Sequence, residues 1–203
     1  MNGENRTLEY YQQHADEFIS DTVSVDMQEI RTRFCAGLPA GALILDFGCG
    51  SGRDTKAFLE AGYRVEAIDG SEELARKASQ YTVIPVKQML FQELDAVSRY
   101  DGIWASASIL HLPMEELTDV IRKIAAALRP KGVLYTSFKY GEAEETRGGR
   151  YFTDFTKEKL EEYWKQFPSL RIFDYWITRD TRPGREDLRW NNLLARRVQG
   201  RGT

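Results

Sequence analysis

Apolar residues along the chain alternate between short strand-like runs and helix-like repeats. Runs rich in β-branched and other apolar residues lie at about 43–45, 64–68, 83–87, 100–105 and 132–139. Between the last two runs, the segment 114–128 carries apolar residues on one helical face, namely Leu117, Val120, Ile121, Ile124 and Leu128. Strands that alternate with helices form parallel sheets covered by helices. The pattern therefore predicts an α/β fold.

The two ends of the chain add elements to this alternating unit. Helical spacing at 8–19 and 25–34 predicts two helices before the first strand. After residue 139, the pattern predicts a helix over 156–164 and strands over 170–178 and 188–197, joined through a turn at Pro183-Gly184. The polar, glycine-bearing segment 140–152 predicts a mobile loop beside the sheet.

The stretch 43–55 combines a strand, a glycine turn and a helix start. Leu43, Ile44 and Leu45 lead into a turn with alternate glycines at Gly48, Gly50 and Gly52. Glycine lets backbone N–H groups approach a ligand without a Cβ, and the helix N-terminus adds a partial positive charge. We therefore expect an anionic or hydrogen-bond-accepting ligand above this strand end.

The next strand places an acid near the same turn. It ends in Asp69-Gly70-Ser71, about 20 residues beyond the glycines, where a carboxylate can accept hydrogen bonds from ribose hydroxyls. The dinucleotide pattern G-x-G-x-x-G would require a third glycine at the position of Arg53. This mismatch counts against a nicotinamide-dependent oxidoreductase, which stays an alternative.

Three motifs resemble those of the class I S-adenosylmethionine-dependent methyltransferases. The first is Asp46-x-Gly48-x-Gly50-x-Gly52, and the others are AIDGS at 67–71 and LRPKG at 128–132. The resemblance extends over about 11–197. It implies one domain over 1–203 with helices in 1–37 and a doubly wound, seven-stranded, mostly parallel Rossmann-like sheet with an antiparallel C-terminal strand. It also implies S-adenosylmethionine as cofactor and methyl transfer to a small molecule.

The resemblance also assigns cofactor contacts. Arg53 is placed to pair with the cofactor's carboxylate, as in similar enzymes of the tellurite-resistance type, and Met89 with Leu90 to flank the adenine although no acid stands there to bond its amine. The implied cofactor-binding residues are Tyr11, Asp46, Gly48, Gly50, Arg53, Asp69, Gly70, Met89, Leu90 and Ser106. Tyr11 could equally be a packing aromatic, and Arg53 an exposed arginine of the first helical turn.

Candidate residues for catalysis and acceptor binding come from the second half of the chain. His111 follows the fourth strand, where a general base working near neutral pH is useful, although a lone histidine is often structural. A polar pocket for an anionic acceptor is predicted from Lys139, Arg147, Arg150, Tyr151, Arg182 and Trp190, which solvated loop charges would also explain. The loop after that strand lacks both the Asn/Asp-Pro-Pro-aromatic pattern and a Pro-Cys nucleophile. The acceptor atom is left open among O, N, S and a metalloid.

Composition narrows the remaining possibilities. The chain of 203 residues suits one domain, and no apolar run approaches the ~18 residues of a membrane span. Residues 1–138 contain 14 Lys and Arg against 20 Asp and Glu, which disfavours nucleic acid as a partner. Two cysteines, one of them in the glycine turn, indicate reduced thiols and a cytoplasmic location. No spacing predicts a metal site, a non-catalytic cofactor-binding regulator stays an alternative, and the oligomeric state is open.

Overall fold

A seven-stranded sheet lies at the centre of the computed structural model, which describes residues 3–180, 182, 184–185 and 187–198. Its strand order is β3-β2-β1-β4-β5-β9-β8. The strands of the protein are β1 Leu43–Phe47, β2 Arg64–Asp69, β3 Val86–Gln88, β4 Tyr100–Ala105, β5 Leu128–Lys139, β6 Glu144–Arg147, β7 Arg150–Thr153, β8 Leu170–Arg179 and β9 Arg189–Arg197. The first five are parallel, and β9 runs antiparallel between β5 and β8. The predicted doubly wound sheet with an antiparallel C-terminal strand is confirmed.

Seven α-helices accompany the strands in the part of the chain that the structure describes. They are α1 Gly3–Gln13, α2 Ala15–Thr22, α3 Gln28–Cys35, α4 Arg53–Glu60, α5 Glu72–Thr82, α6 Met114–Ala127 and α7 Lys157–Trp164. The apolar face predicted for α6 is fully buried, since Leu117, Val120, Ile121 and Ile124 are all 0% exposed. Ser71 caps α5 by accepting the N–H of Leu74, and Glu72 and Glu73 occupy its first turn. No described helix has the length and apolar character needed to cross a membrane.

Several element boundaries differ from the sequence prediction. The helix predicted over 8–19 is divided at residue 14 into α1 and α2, and β5 begins at Leu128 rather than at residue 132. Helix α3 begins at Gln28 rather than near residue 25, because the carboxylate of Asp26 accepts the N–H of Gln28 and fixes a turn there. Val83, predicted to start the third strand, instead ends α5 in a left-handed conformation at φ +61°. Pro183, in the predicted turn before the last strand, lies outside the described residues.

The segment predicted to be a loop over 140–152 contains a β-hairpin. Strands β6 and β7 pair antiparallel through Arg147 and Arg150, with Gly148 and Gly149 as the turn. Both glycines have positive φ, +53° and +78°, which is the backbone that a two-residue hairpin turn needs. Helix α1 packs against β7, and the Thr7 hydroxyl accepts the N–H of Tyr151 at 2.9 Å. The hairpin therefore fixes the N-terminal helix over the sheet edge.

Candidate active site

A cavity of about 470 Å³ lies at the carboxyl ends of β1, β2, β4 and β5. In open α/β sheets this edge is the usual position for ligands. The floor of the cavity comes from the turn after β1, the end of β2 and the loop after β4. Helices α1 and α2 contribute Tyr11 and Phe18 from one side, and the hairpin contributes Arg150 and Phe152 from another. The volume is in the range of small-molecule sites.

The glycine turn after β1 depends on the absence of side chains. Gly48, Gly50 and Gly52 have φ of +85°, +54° and +77°, a region that other residues rarely adopt. A Cβ on Gly48 would lie 2.6 Å from the Cβ of Ser108, and one on Gly50 would lie 2.8 Å from the Phe18 ring. The N–H groups of Gly48 and Cys49 both donate to the carbonyl of Ile68. The turn is therefore tied to the end of β2.

Asp69 joins the ends of β1 and β2. Its Oδ2 accepts the N–H of Gly50 and its Oδ1 accepts the N–H of Ser71, each at 2.9 Å. Burial raises the pKa of this carboxyl to about 6, although both hydrogen bonds act in the opposite direction. The side chain also lines the cavity. Asp69 and the glycine turn thus face the same space, as the sequence led us to expect.

A second buried carboxylate, Asp46, lies at the end of β1. It accepts the hydroxyl of Thr55 at 2.6 Å and is 2% exposed. Burial, reinforced by the charge of Asp54, raises the pKa of Asp46 to about 7. None of the ion pairs of the described chain includes Asp46. A cationic ligand group beside it would stabilise the ionised form.

Arg53, placed by the sequence against the cofactor's carboxylate, lines the cavity but is already paired. Its Nε and Nη2 donate to the carboxylate of Asp54 at 3.1 and 2.6 Å, and its Nη1 donates to the carbonyl of Thr22. Burial on its own would raise the pKa of Asp54, but Arg53 and Arg31 hold it below its ordinary value. Arg53 therefore connects α2 to the start of α4.

His111 and Tyr11, 100 positions apart in the chain, form a buried hydrogen-bonded pair. The Nδ1 of His111 lies 2.6 Å from the carbonyl of Tyr151, so this nitrogen carries the proton. The Nε2 atom, 2.8 Å from the Tyr11 hydroxyl oxygen, then accepts a hydrogen bond from this hydroxyl. Burial lowers the pKa of His111 to about 3, and burial raises the pKa of Tyr11. The pair is neutral at physiological pH.

The structure brings most of the predicted site residues into one cavity. Those that line it are Tyr11, Asp46, Gly48, Gly50, Arg53, Asp69, Gly70, Leu90, Ser106, His111, Lys139, Arg150, Arg182 and Trp190. Three others do not line it. Met89 packs against the core, Arg147 pairs with Asp154, and Tyr151 donates its hydroxyl to Glu144. Side chains alternate in direction along β7, so Tyr151 turns away where Arg150 and Phe152 turn inward.

Several cavity residues were not anticipated from the sequence. Phe91 and Ser108 pack beside the glycine turn, and the Ser108 hydroxyl donates to the carbonyl of Phe47 at 2.7 Å. Ser137, Phe152 and Asn192 also line the cavity. In the sequence, Ser137 and Asn192 stand out only as polar residues within apolar strands. Their pairing across β5 and β9 depends on the register of the two strands, which neither strand's sequence shows on its own.

Comparison with known proteins agrees with this geometry. A methyltransferase-domain family matches residues 44–132, which hold the glycine turn, Asp69 and the loop after β4. The structure of 1,6-didemethyltoxoflavin-N1-methyltransferase from Burkholderia thailandensis, with bound S-adenosylhomocysteine, superposes with a TM-score of 0.76 at 25% identity, covering 95% of this chain and 85% of that one. These matches support a class I S-adenosylmethionine-dependent methyltransferase. Its tellurite-resistance-type subgroup stays a prediction.

Two further comparisons differ in how much of the chain they cover. The ubiquinone biosynthesis O-methyltransferase of Xanthomonas axonopodis pv. citri is 30% identical over 106 residues, which are 49% of this chain and 44% of the relative. The chain spans less than half the length of the curated relatives it matches. Magnesium protoporphyrin IX methyltransferase from Synechocystis shares the fold at a TM-score of 0.73 and 18% identity, covering 98% of each chain.

The burial of His111 gives a prediction for the stability of the protein. Because the folded pKa of about 3 lies below the ordinary 6.5, only the unfolded chain gains a proton on His111 as the pH falls below 6.5. Stability is therefore lost between pH 6.5 and 3, by up to about 1.4 kcal/mol per pH unit. Asp46 and Asp69, whose pKa values are raised, make the protein more stable as the pH falls. The contribution of His111 is therefore isolated by comparing urea unfolding of the wild type with that of His111→Gln. We expect the wild type to lose stability relative to this variant from pH 6.5 to 4, and a constant difference would contradict a neutral, buried His111.

Proposed function

We propose that the chain binds S-adenosylmethionine across the ends of β1 and β2 and transfers its methyl group to a small-molecule acceptor. One observation carries the proposal. The carboxylate of Asp69 bridges the N–H groups of Gly50 and Ser71 and faces the cavity. It therefore offers a buried acceptor for ribose hydroxyls beside a turn that has no room for side chains.

The residues of the cavity fit this cofactor. Asp69 would hold the ribose, Leu90 and Phe91 would contact the adenine, and the turn at 48–50 would approach the methionine part through its backbone. Asp46, with a pKa of about 7 and no ion pair in the described chain, suits the cofactor's ammonium group. When bound, the cofactor supplies a methyl group on a sulfonium that a nucleophilic acceptor atom can attack.

The remaining cavity residues would align the acceptor and exclude water. Helices α1 and α2 close one side with Tyr11 and Phe18, whose rings meet edge to face at 5.1 Å. His111 stays the proposed general base. In that role its Nε2 would bond the methyl acceptor in place of the Tyr11 hydroxyl. Since the pKa of His111 is about 3, this base suits acceptors that release a proton easily. Ser106, on the same cavity wall, is proposed to face the transferred methyl group.

The relatives differ in the acceptor that their names give, and some curated ones are named N-terminal Xaa-Pro-Lys N-methyltransferases. The structural relative from Burkholderia thailandensis is named for N1 methylation of 1,6-didemethyltoxoflavin, and curated relatives include enzymes named for O-methylation in ubiquinone biosynthesis. These names point to different acceptor atoms. We therefore leave the acceptor atom open, and the cytoplasmic location stays a prediction.

Calorimetric titration with S-adenosylmethionine, S-adenosylhomocysteine and NAD separates the candidate functions. The proposal expects both adenosyl ligands to bind at micromolar or tighter dissociation constants and NAD to bind at least tenfold more weakly. Methyl transfer is then followed by mass spectrometry over a panel of phenols, acids, amines and thiols. Preference for NAD would contradict the cofactor assignment, and tight adenosyl binding without any turnover would favour a non-catalytic regulator.

Substitution of Asp46 with asparagine tests its proposed role beside the ammonium. The folded pKa of about 7 lies above the ordinary 3.8, so burying the ionised form lowers stability above pH 7, where Asp54, Arg53 and Asp69 are the charged neighbours. Asp46→Asn should therefore raise Tm at pH 8 by at least about 2 °C, the shift for about 1 kcal/mol in a chain of this size. The gain should shrink as the pH falls from 7 to 4, while affinity for S-adenosylhomocysteine drops at least threefold at pH 8. A lower Tm at pH 8 would show instead that Asp46 is needed for the fold.

A further inference from the structure

The cavity extends past the proposed cofactor half to a wall built from β5, β9 and the hairpin. Register places Lys139 of β5 directly opposite Trp190 of β9, and both line the cavity. From the hairpin, Arg150 and Phe152 point into the same space. The glycine turn and Asp69 are not part of this wall. We call it the cationic wall, and it consists of Lys139, Arg150, Phe152 and Trp190.

Four cations lie near the cationic wall, and two of them have carboxylate partners. Arg147 pairs with Asp154 at 2.6 Å, and Arg182 pairs with Asp180 at 2.5 Å. Asp154 and Asp180 are buried, at 7% and 7% exposure. These two pairs are neutral overall, so the charge of the cationic wall itself comes from Lys139 and Arg150.

Lys139 and Arg150 have no carboxylate within 4.0 Å in the part of the chain that the structure describes. The Nζ of Lys139 lies 3.8 Å from the centre of the Phe152 ring, and the guanidinium carbon of Arg150 lies 5.4 Å from the same centre. The Nε of Arg150 is buried without a hydrogen-bond partner. Aromatic rings attract both cations, but a ring does not replace the hydrogen bonds that a charge loses on burial.

Two partly buried like charges that act on each other work against folding. Burial lowers the pKa of Lys139 to about 8, and Arg147, Arg150 and Arg182 act in the same direction while Asp154 opposes them. At pH 7 the amine still carries its proton. Residues retained at the expense of stability are typical of ligand sites, because the ligand supplies the missing partner.

We propose that the cationic wall binds the acceptor through a negatively charged group, which pairs with the ammonium of Lys139 and the guanidinium of Arg150. The aromatic rings of Phe152 and Trp190 favour an acceptor with a flat apolar body. The acceptor class is thus an aromatic acid or a similar planar organic anion. The role of this ligand as methyl acceptor rests on the proposed function. Its negative charge rests on Lys139 and Arg150, which have no carboxylate partner in the described chain.

Matched pairs of probes test the sign of the charge. A panel of substituted benzoates, naphthoates and heteroaromatic carboxylates, each with its primary amide, is screened by ligand-observed NMR. The protein is saturated with S-adenosylhomocysteine in one series and free of it in the other. We expect carboxylates to bind at least tenfold more tightly than their amides, the preference that a charge-assisted hydrogen bond commonly gives.

Variants then connect the preference to the wall. Lys139→Met and Arg150→Met should each weaken binding of the preferred carboxylates at least tenfold and leave the amides unchanged. Lys139→Arg keeps the positive charge although its shape differs, so it should weaken binding less than Lys139→Met does. Lys165→Met, which removes an exposed lysine at the end of α7, is the control and should change nothing. A purely structural lysine would lower Tm when removed, whereas Lys139→Met should keep or raise it.

The outcomes separate this inference from the proposed function. Failure of S-adenosylhomocysteine to bind would contradict the cofactor assignment, while the carboxylate preference would still be measured in the ligand-free series. Equal binding of acids and amides, no binding by any acid, or undiminished acid binding to Lys139→Met and Arg150→Met would overturn the inference. Lower Tm for Lys139→Met with unchanged acid binding would assign the lysine to the fold instead.

Discussion

Replacing Gly48 with alanine is expected to destabilise the protein and to remove cofactor binding. At φ +85° an alanine is strained by about 1–2 kcal/mol, and its Cβ would lie 2.6 Å from that of Ser108 and 3.0 Å from the Phe91 ring. Overpacking of this kind adds roughly 1–3 kcal/mol. We expect a loss of roughly 2–5 kcal/mol in urea unfolding, together with at least a tenfold lower affinity for S-adenosylhomocysteine by calorimetry.

Gly62→Ala is the matched control for Gly48→Ala. Gly62 has almost the same backbone conformation, φ +86°, but a Cβ there would meet nothing within 4 Å. It ends α4 far along the helix from the cavity and lines no part of it. We expect only the conformational penalty, about 1–2 kcal/mol, and unchanged ligand affinity. Equal effects of the two substitutions on affinity would mean that close packing at Gly48 is not what shapes the site.

The second large effect is expected from Asp69→Ala. This substitution removes the acceptor of two backbone N–H groups and leaves both buried, which costs about 1–3 kcal/mol for each group left without a partner. It also removes the proposed ribose contact. Affinity for S-adenosylhomocysteine should fall at least a hundredfold by calorimetry, with Tm lower by several degrees. The affinity and Tm of Asp69→Asn should lie between those of the wild type and those of Asp69→Ala, because an amide oxygen can still accept a hydrogen bond from one of the N–H groups.

Asp101→Asn provides the control for Asp69. Asp101 also accepts a backbone N–H at a strand end, that of Leu43 at 2.8 Å, and it pairs with Arg129. It lies at the start of β4, the opposite edge of the sheet from the cavity, and does not line it. The substitution should lower Tm without changing affinity. If Asp101→Asn lost as much affinity as Asp69→Ala, the effect of Asp69→Ala would be explained by general destabilisation and not by a lost ligand contact.

Local patterns in the sequence predicted the parts of the fold that depend on local physics. The apolar face of α6 and the strand, turn and helix around Gly48 follow from residue spacing and from glycine's access to positive φ. The hairpin at Gly148-Gly149 was also predictable, because two adjacent glycines between strand-like residues favour a two-residue turn. We predicted a loop over 140–152 from its polar, glycine-bearing composition, and the paired strands β6 and β7 correct that prediction.

Side-chain partners across the fold could not be predicted in the same way. The contact of Tyr11 with His111 depends on how α1 packs on β7, and the pairing of Arg53 with Asp54 depends on the rotamers that α3 and Trp104 allow. The sequence identified Lys139, Arg147, Arg150 and Arg182 as one cationic group. Only the structure separates the two that pair with Asp154 and Asp180 from the two that face the cavity without a carboxylate.

The central claim is that the carboxylate of Asp69 and the glycine turn hold one adenosyl ligand between them. A crystal structure of the protein grown with S-adenosylhomocysteine tests it most directly. The account predicts both ribose hydroxyls within hydrogen-bonding distance of Asp69 and the amino-acid part of the ligand against the backbone at 48–50. Density for the ligand elsewhere, or a ribose turned away from Asp69, would contradict it.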